Sequence, residues 1–330
     1  MLELDVEVPR RRFCVEAVLH VAAAERFALF GPSGAGKTTL VETVAGLVRP
    51  RHGSVALDGR VLWARTRGRR ATTEVPPWDR AVALVRQDPD LFPHLDVRAN
   101  LAYSRRRSAP GELDRLVRLL ELEELLDARP SGLSGGQAHR VALARALAGG
   151  CRALLLDEPY AGLDASLRDR VTALVREEVS RRGIPAMLIS HELSEAQAFA
   201  DTIGVVDQGR LLQVAAPRDL VLRPATRRVA ELVGYRGFAP AAGASIGVHP
   251  DRVRPGSHPD RGPVLRGRLV KSHPSGVGFE ADVQVDGARI TCRFGEEVGP
   301  PGTDLELTVL DPPYFGHDGR ILPAAQVTSA

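Results

Sequence analysis

Lysine is almost missing from this sequence. Of its 44 basic residues only Lys37 and Lys271 are lysines, and the other 42 are arginines. A coding bias toward G+C accounts for most of that exchange. A retained lysine is therefore a candidate for chemistry that needs a compact ammonium rather than a guanidinium fork, although Lys271 shows that one can also survive by chance. Cysteine is scarce as well. Cys14, Cys151 and Cys292 are odd in number, far apart and without metal-ligand spacing. That excludes a disulfide framework and points to a reducing compartment. Excess charge is missing too, because a net +3 in 330 residues is too balanced to argue for a nucleic-acid-binding surface. No window approaches 18 uninterrupted apolar residues, so no membrane span is expected. The opening MLELDVEVPRRRF carries acids where a secretory signal has basic residues, and no apolar core follows. Heptads, solenoid repeats and low-complexity tracts are likewise absent. These absences predict a cytosolic globular chain.

What is present fits two domains. Over residues 1–234 short apolar runs alternate with helical patterns. Candidate strands are 26–30, 81–86, 153–157, 186–190 and 202–206. Between the later ones SLRDRVTALVREEVSRRG sets Leu167, Val171, Leu174, Val175 and Val179 on one helical face, with Gly183 as a stop. Strand–helix–strand alternation predicts an α/β fold with a mostly parallel sheet. After Tyr235 the chain turns Gly- and Pro-rich. Alternating segments at 264–271, 278–285, 288–294 and 304–310 then predict a small all-β domain over 235–330, reached through a linker and built as a five-stranded barrel or sandwich.

The stretch FALFGPSGAGKTTL contains G-x-x-x-x-G-K-[ST] between an apolar strand and a helix, the setting in which that pattern is a phosphate-binding P-loop. Gly31, Pro32, Ser33, Gly34, Ala35 and Gly36 turn backbone N–H groups toward phosphate at a helix N-terminus. Lys37 reaches the β- and γ-phosphates, Thr38 offers a hydroxyl to Mg²⁺, and Thr39 continues the cradle. The run ALLLDE ends a strand in two acids at the carboxyl edge of the sheet. Asp157 is the candidate for the Mg²⁺ shell and Glu158 for polarising an attacking water.

LSGGQAHR at 133–140 is also a glycine-rich helix start, yet it lacks a lysine. Six ordered motifs, namely the P-loop, Gln87 in VRQDPDLFPHL, LSGGQ, LLLDE, Asp164 in AGLDASL and His191 in LISHELSEAQ, make residues 1–234 strongly resemble the nucleotide-binding cassette of ABC transporters. The resemblance implies a P-loop NTPase cassette with a helical subdomain, acting on ATP with Mg²⁺. It implies a head-to-tail dimer of two copies, in which Ser134, Gly135 and Gly136 of one face the γ-phosphate held by the other. Carried over, Gln87 and Asp157 complete the Mg²⁺ shell with Thr38, Glu158 is the general base, His191 aligns it, and Asp164 packs across the dimer. Taken alone, Asp164 is equally a helix cap. Phe13 is the nearby aromatic for stacking on adenine. Where the family often has Gln-Gln-Arg after LSGGQ, this chain has Ala138-His139-Arg140, a change expected only on the helix surface.

One uninterrupted cassette without a spanning segment resembles the energising subunit of an importer, peripheral to the cytoplasmic face of the membrane. Its implied partners are permease subunits and, indirectly, a substrate-binding protein, with no nucleic acid. IGVHPDRV resembles the opening of the OB-like, transport-associated domain that follows importer cassettes. LFPHL-x-VR-x-NL is similar to molybdate-importer ATPases, while sulfate, iron(III) and polyamine importers share parts of it. The other reading is an ABC-type ATPase acting on nucleic acid or ribosomes through the arginine runs at 10–12, 65–70 and 105–107, which read more simply as solvated loops.

Overall fold

The computed structural model describes residues 1–68, 70–103, 111–160, 162–241 and 243–323. The arginine run at 105–107 and position 69 of the run at 65–70 lie outside the described residues. The chain divides into two compact units, Met1–Pro217 and Arg218–Ala330.

The first unit begins with β1 (Leu2–Pro9), β2 (Cys14–Val21), β3 (Arg26–Phe30), α1 (Lys37–Ala45), β4 (His52–Leu57), β5 (Arg60–Arg65) and β6 (Thr73–Glu74). It continues with β7 (Val82–Val85), α2 (Val97–Ala102), α3 (Glu112–Leu119), α4 (Gly135–Ala148), β8 (Ala153–Asp157), α5 (Ala165–Arg182), β9 (Ala186–Ser190), α6 (Leu193–Phe199), β10 (Thr202–Asp207) and β11 (Arg210–Ala215). One eleven-stranded sheet runs β6-β5-β4-β1-β2-β11-β10-β3-β9-β8-β7. It is less parallel than the strand–helix alternation predicts. The run β7-β8-β9-β3-β10 is parallel, whereas β1, β2, β4, β5 and β6 form an antiparallel meander. In the meander Leu2, Leu4, Val6 and Val8 are buried on one face while the residues between them are more open, the period-2 pattern of a half-covered strand. In the parallel part every residue of β8 and β9 is buried, because helices cover both faces. All five expected strands thus stand within one residue of where the apolar runs put them, and α5 ends on a left-handed Gly183.

That parallel run places the site. Phe30 pairs with Ser190, Asp157 with Ile189 and Val85 with Leu156. The carboxyl ends of four adjacent strands therefore lie together, and the loops leaving them carry residues 31–36, Glu158, His191 and Gln87. Among the described residues no helix is long and apolar enough to cross a membrane.

The second unit contains α7 (Pro217–Leu222), which starts at the boundary, α8 (Arg227–Leu232), β12 (Phe238–Ala241), β13 (Ala244–Gly247), β14 (Val253–Pro255) and β15 (Val264–Ser275). It ends with β16 (Gly278–Val285), β17 (Ala288–Phe294), β18 (Asp304–Val309), β19 (Tyr314–Phe315) and β20 (Ile321–Leu322). The four anticipated strands are β15 to β18, joined by β14 in an antiparallel sheet of order β14-β18-β15-β16-β17. A second sheet, β12-β13-β19-β20, was not visible in the pattern. The boundary after Pro217 also precedes the composition change at 235. Residues 218–234 are tied into the second unit by Arg227 N donating to Gly319 O at 2.7 Å, Ile321 N to Ala225 O at 3.1 Å and Tyr235 Oη to Val221 O at 2.8 Å.

Candidate nucleotide site

The glycine-rich loop leaves β3 and enters α1 at Lys37. It is wedged against the β10–β11 hairpin, where Gly209 N donates to Ala35 O at 2.8 Å. A Cβ on Gly31 would lie 2.0 Å from the carbonyl oxygen of Val206, so only glycine allows this approach. The Lys37 ammonium donates to the carbonyls of Gly31 at 2.7 Å and Pro32 at 2.9 Å, which hold it over the loop. Burial pulls the Lys37 ammonium below its usual range, while the charges of Glu158 and Asp157 oppose that shift.

Thr38 Oγ1 lies 3.4 Å from Asp157 Oδ1, joining the first turn of α1 to the end of β8. Burial raises the Asp157 carboxyl, the Thr38 hydrogen bond lowers it, and the neighbouring charges of Glu158 and Glu42 raise it further. Glu158 takes a left-handed backbone, φ 48°, fixed by its N–H donating to Ile189 O at 3.1 Å. Such conformations cost about 1–3 kcal/mol and persist where surrounding structure imposes them. The carboxylate so aimed meets His191, whose Nδ1 is 3.0 Å from Glu158 Oε1.

Lys37, Thr38 and Glu158 share one cavity of about 400 Å³, lined also by Arg10, Phe13, Ser33, Gly34, Gly36, Thr39 and Gln87, while Asp157 and His191 stand against Thr38 and Glu158. Its oxygen donors suit a hard cation. The Thr38 hydroxyl, the Asp157 carboxylate beside it and the Gln87 amide are the ligand types Mg²⁺ takes. One further lining residue, Arg10, has no role in the sequence motifs. Arg10 is no mere solvated loop residue, since its Nε donates to Thr39 Oγ1 at 2.9 Å. Phe13 packs its ring against Gly209 and Gly36, so the aromatic candidate does stand at the loop.

The second glycine-rich stretch begins α4. Ser134 caps it: Gln137 N donates to Ser134 Oγ at 3.3 Å and Ser134 N to Gln137 Oε1 at 2.8 Å, a reciprocal capping box. The Ser134 oxygen accepts there, which leaves its own O–H to donate elsewhere. A Cβ on Gly135 would meet nothing, whereas one on Gly136 would lie 2.7 Å from Leu163 Cδ2. Gly135 thus keeps an open approach and Gly136 serves packing. Asp164 caps α5, accepting from Leu167 N at 3.0 Å. His139 overturns the expectation of a change confined to the helix surface. It is 7% exposed, with Nδ1 3.0 Å from Gly135 O and Nε2 3.0 Å from Gln87 O. Arg140 turns inward too, donating to Leu120 O at 2.7 Å. Lys271, by contrast, makes only an exposed pair with Asp282 at 3.4 Å.

A phosphate cradle, a paired hydroxyl and carboxylate, and a carboxylate in contact with an imidazole are the parts of an ABC-type nucleotide-binding cassette. A model of the ABC transporter family matches residues 16–161. The Fe(3+) ions import ATP-binding protein FbpC of Mesorhizobium japonicum is 41% identical over 68% of this chain and 62% of its own length. Less than two thirds of that relative is therefore spanned. The molybdenum import ATP-binding protein ModC of Paramagnetospirillum magneticum is 34% identical over 100% of this chain and 85% of its own. Among solved structures, a bacterial Atm1-family ABC exporter with ATP bound superposes with a TM-score of 0.60 at 29% identity, over 70% of this chain and 41% of that one. The chain belongs to the ABC transporter family.

Proposed function

We propose that this chain hydrolyses ATP to energise import through a membrane permease, working as a head-to-tail pair on the cytoplasmic face of the membrane. The observation that carries the catalytic part is the Glu158–His191 contact at 3.0 Å beside the cavity that holds Lys37 and Thr38. Lys37, the loop glycines, Thr38 and Thr39 cradle the triphosphate, and Phe13 stacks on the base. Thr38, Asp157 and Gln87 would hold Mg²⁺, which supplies charge neutralisation between the β- and γ-phosphates. Glu158 takes the proton of the attacking water, and His191 holds that carboxylate in line. The open face at Gly135 and the free O–H of Ser134 suit a γ-phosphate arriving on a second copy, with Asp164 near the same seam. A substrate-binding protein would deliver cargo to the permease.

For cargo, the reading is an oxyanion, molybdate foremost, in keeping with a molybdenum relative similar over the whole of this chain; iron and polyamine relatives similar over nine tenths of it or more keep iron(III) and polyamine, with sulfate, as rivals. The test is tracer uptake of molybdate, tungstate, sulfate, iron(III) and a polyamine in cells carrying wild type or Lys37→Ala. Selective loss of molybdate and tungstate supports the assignment. Loss of iron(III) alone replaces it, and unchanged uptake of all five removes the molybdate assignment and reopens the non-transport reading.

A further inference from the structure

We propose that His139 is a positioning residue that ties Gln87 to the start of α4, so that a protomer's own nucleotide site and the glycine face it offers to a neighbour move as one piece. The proposal rests on the ATPase reading above. Three observations carry it. The imidazole is buried, and its two nitrogens reach carbonyl oxygens of two separate segments, Gly135 at the first turn of α4 and Gln87 after β7. Farther along the same helix Arg145 Nη2 donates to Pro89 O at 3.2 Å and Asp90 O at 3.0 Å. Arg145 also lies 5.2 Å from the ring centre of Phe92. The segment 87–92 is therefore clamped to α4 at two places, and His139 is the clamp nearest the phosphate-facing glycines.

Both partners of His139 are acceptors, so a neutral ring, with its single N–H, donates to one of the two carbonyls and only packs against the other. Alanine at 139 removes the ring that bridges the Gln87 and Gly135 carbonyls, together with whichever hydrogen bond it donates. Glutamine keeps a donating amide on a long side chain. The Gln87 side chain lines the nucleotide cavity, so a shift of its backbone displaces an amide oxygen next to the reacting phosphate. Misplacement on the scale of 1 Å is enough to cost a large factor in rate.

The experiment uses the full chain and compares wild type, His139→Ala, His139→Gln, Gln87→Ala and the double variant His139→Ala/Gln87→Ala. Each is measured for kcat, KM, equilibrium ATP affinity and Tm. His139→Ala is expected to lower kcat on the order of tenfold with ATP affinity within about twofold, and His139→Gln to recover most of the loss. In the Gln87→Ala background the same alanine should add nothing, because the group it positions is gone. The proposal is overturned if His139→Ala turns over like wild type. It is equally overturned if kcat falls by the same factor in both backgrounds, since that marks a role in stability alone. Absence of ATP hydrolysis by the wild-type chain would instead sink the ATPase reading on which the proposal stands.

Discussion

His191 Nδ1 sits 3.0 Å from Glu158 Oε1, joining the residues that follow two adjacent parallel strands. That contact makes the two residues unequal. Glu158→Gln keeps the shape and loses the proton acceptor, so ATP binding should persist while hydrolysis falls by about 10²–10⁴. His191→Ala leaves the carboxylate in place but unaligned, and should cost less. Single-turnover phosphate release beside equilibrium binding decides this. Near-normal turnover in Glu158→Gln removes it as general base.

The two glycines of the second motif separate fold from function. A methyl at Gly136 meets Leu163 at 2.7 Å and one at Gly135 meets nothing. Gly136→Ala should therefore lower Tm only slightly, by less than about 1 kcal/mol, because the methyl it meets ends a half-buried leucine side chain that can turn aside. Gly135→Ala should leave Tm unchanged and reduce ATPase activity by crowding the neighbour's phosphate. Equal Tm losses in both variants would contradict the assignment.

Arg10 bonds Thr39 inside the nucleotide cavity with its guanidinium 38% exposed. A partly screened contact with phosphate is worth about 1 kcal/mol, roughly fivefold in affinity. Arg10→Ala should weaken ATP by that factor, leave adenosine unaffected and flatten the salt dependence of ATP binding. Equal weakening of ATP and adenosine would point to the fold of the loop instead.

Glu178 on α5 is 1% exposed and accepts hydrogen bonds from Arg115 of α3, Arg181 and Arg182. Burial alone would push its carboxyl up, but the three guanidinium groups outweigh that and hold it at about 2. A carboxyl depressed on folding stabilises at pH above its ordinary value near 4.5 and loses that contribution as pH falls toward 2. Glu178→Gln should cost about 3 kcal/mol at neutral pH, the low end for a broken buried pair because Arg181 is half-exposed. Denaturation series at pH 7 and pH 3 should show the gap between variant and wild type narrowing at the lower pH. A gap that stays constant rules out the titration as its source.

Much of the site was legible because its residues follow apolar strands whose contiguous runs betray burial on both faces, as in ALLLD before Glu158 and AMLIS before His191. The antiparallel meander is equally written in the alternation of LELDVEVP, whose apolar residues fall at every second position. Arg10 and His139 were not legible. Arg10 meets Thr39 across 29 residues and His139 meets Gln87 across 52, and no local pattern records which distant carbonyl or hydroxyl a side chain will reach. The compact units divide before the composition change for a related reason. Pro- and Gly-rich composition at 236–263 marks turns, while the allegiance of residues 218–234 is set by hydrogen bonds to residues near 320.

A chain with two lysines carries its own chemical reporter. Lys271 is out in solvent, while Lys37 is buried and folded onto two carbonyls. An acylating reagent therefore meets only two lysine amines, one always available and one gated by the state of the phosphate loop. Mass-spectrometric labelling read at Lys37, with Lys271 as the internal standard, follows occupancy of the cradle residue by residue, without any engineered probe.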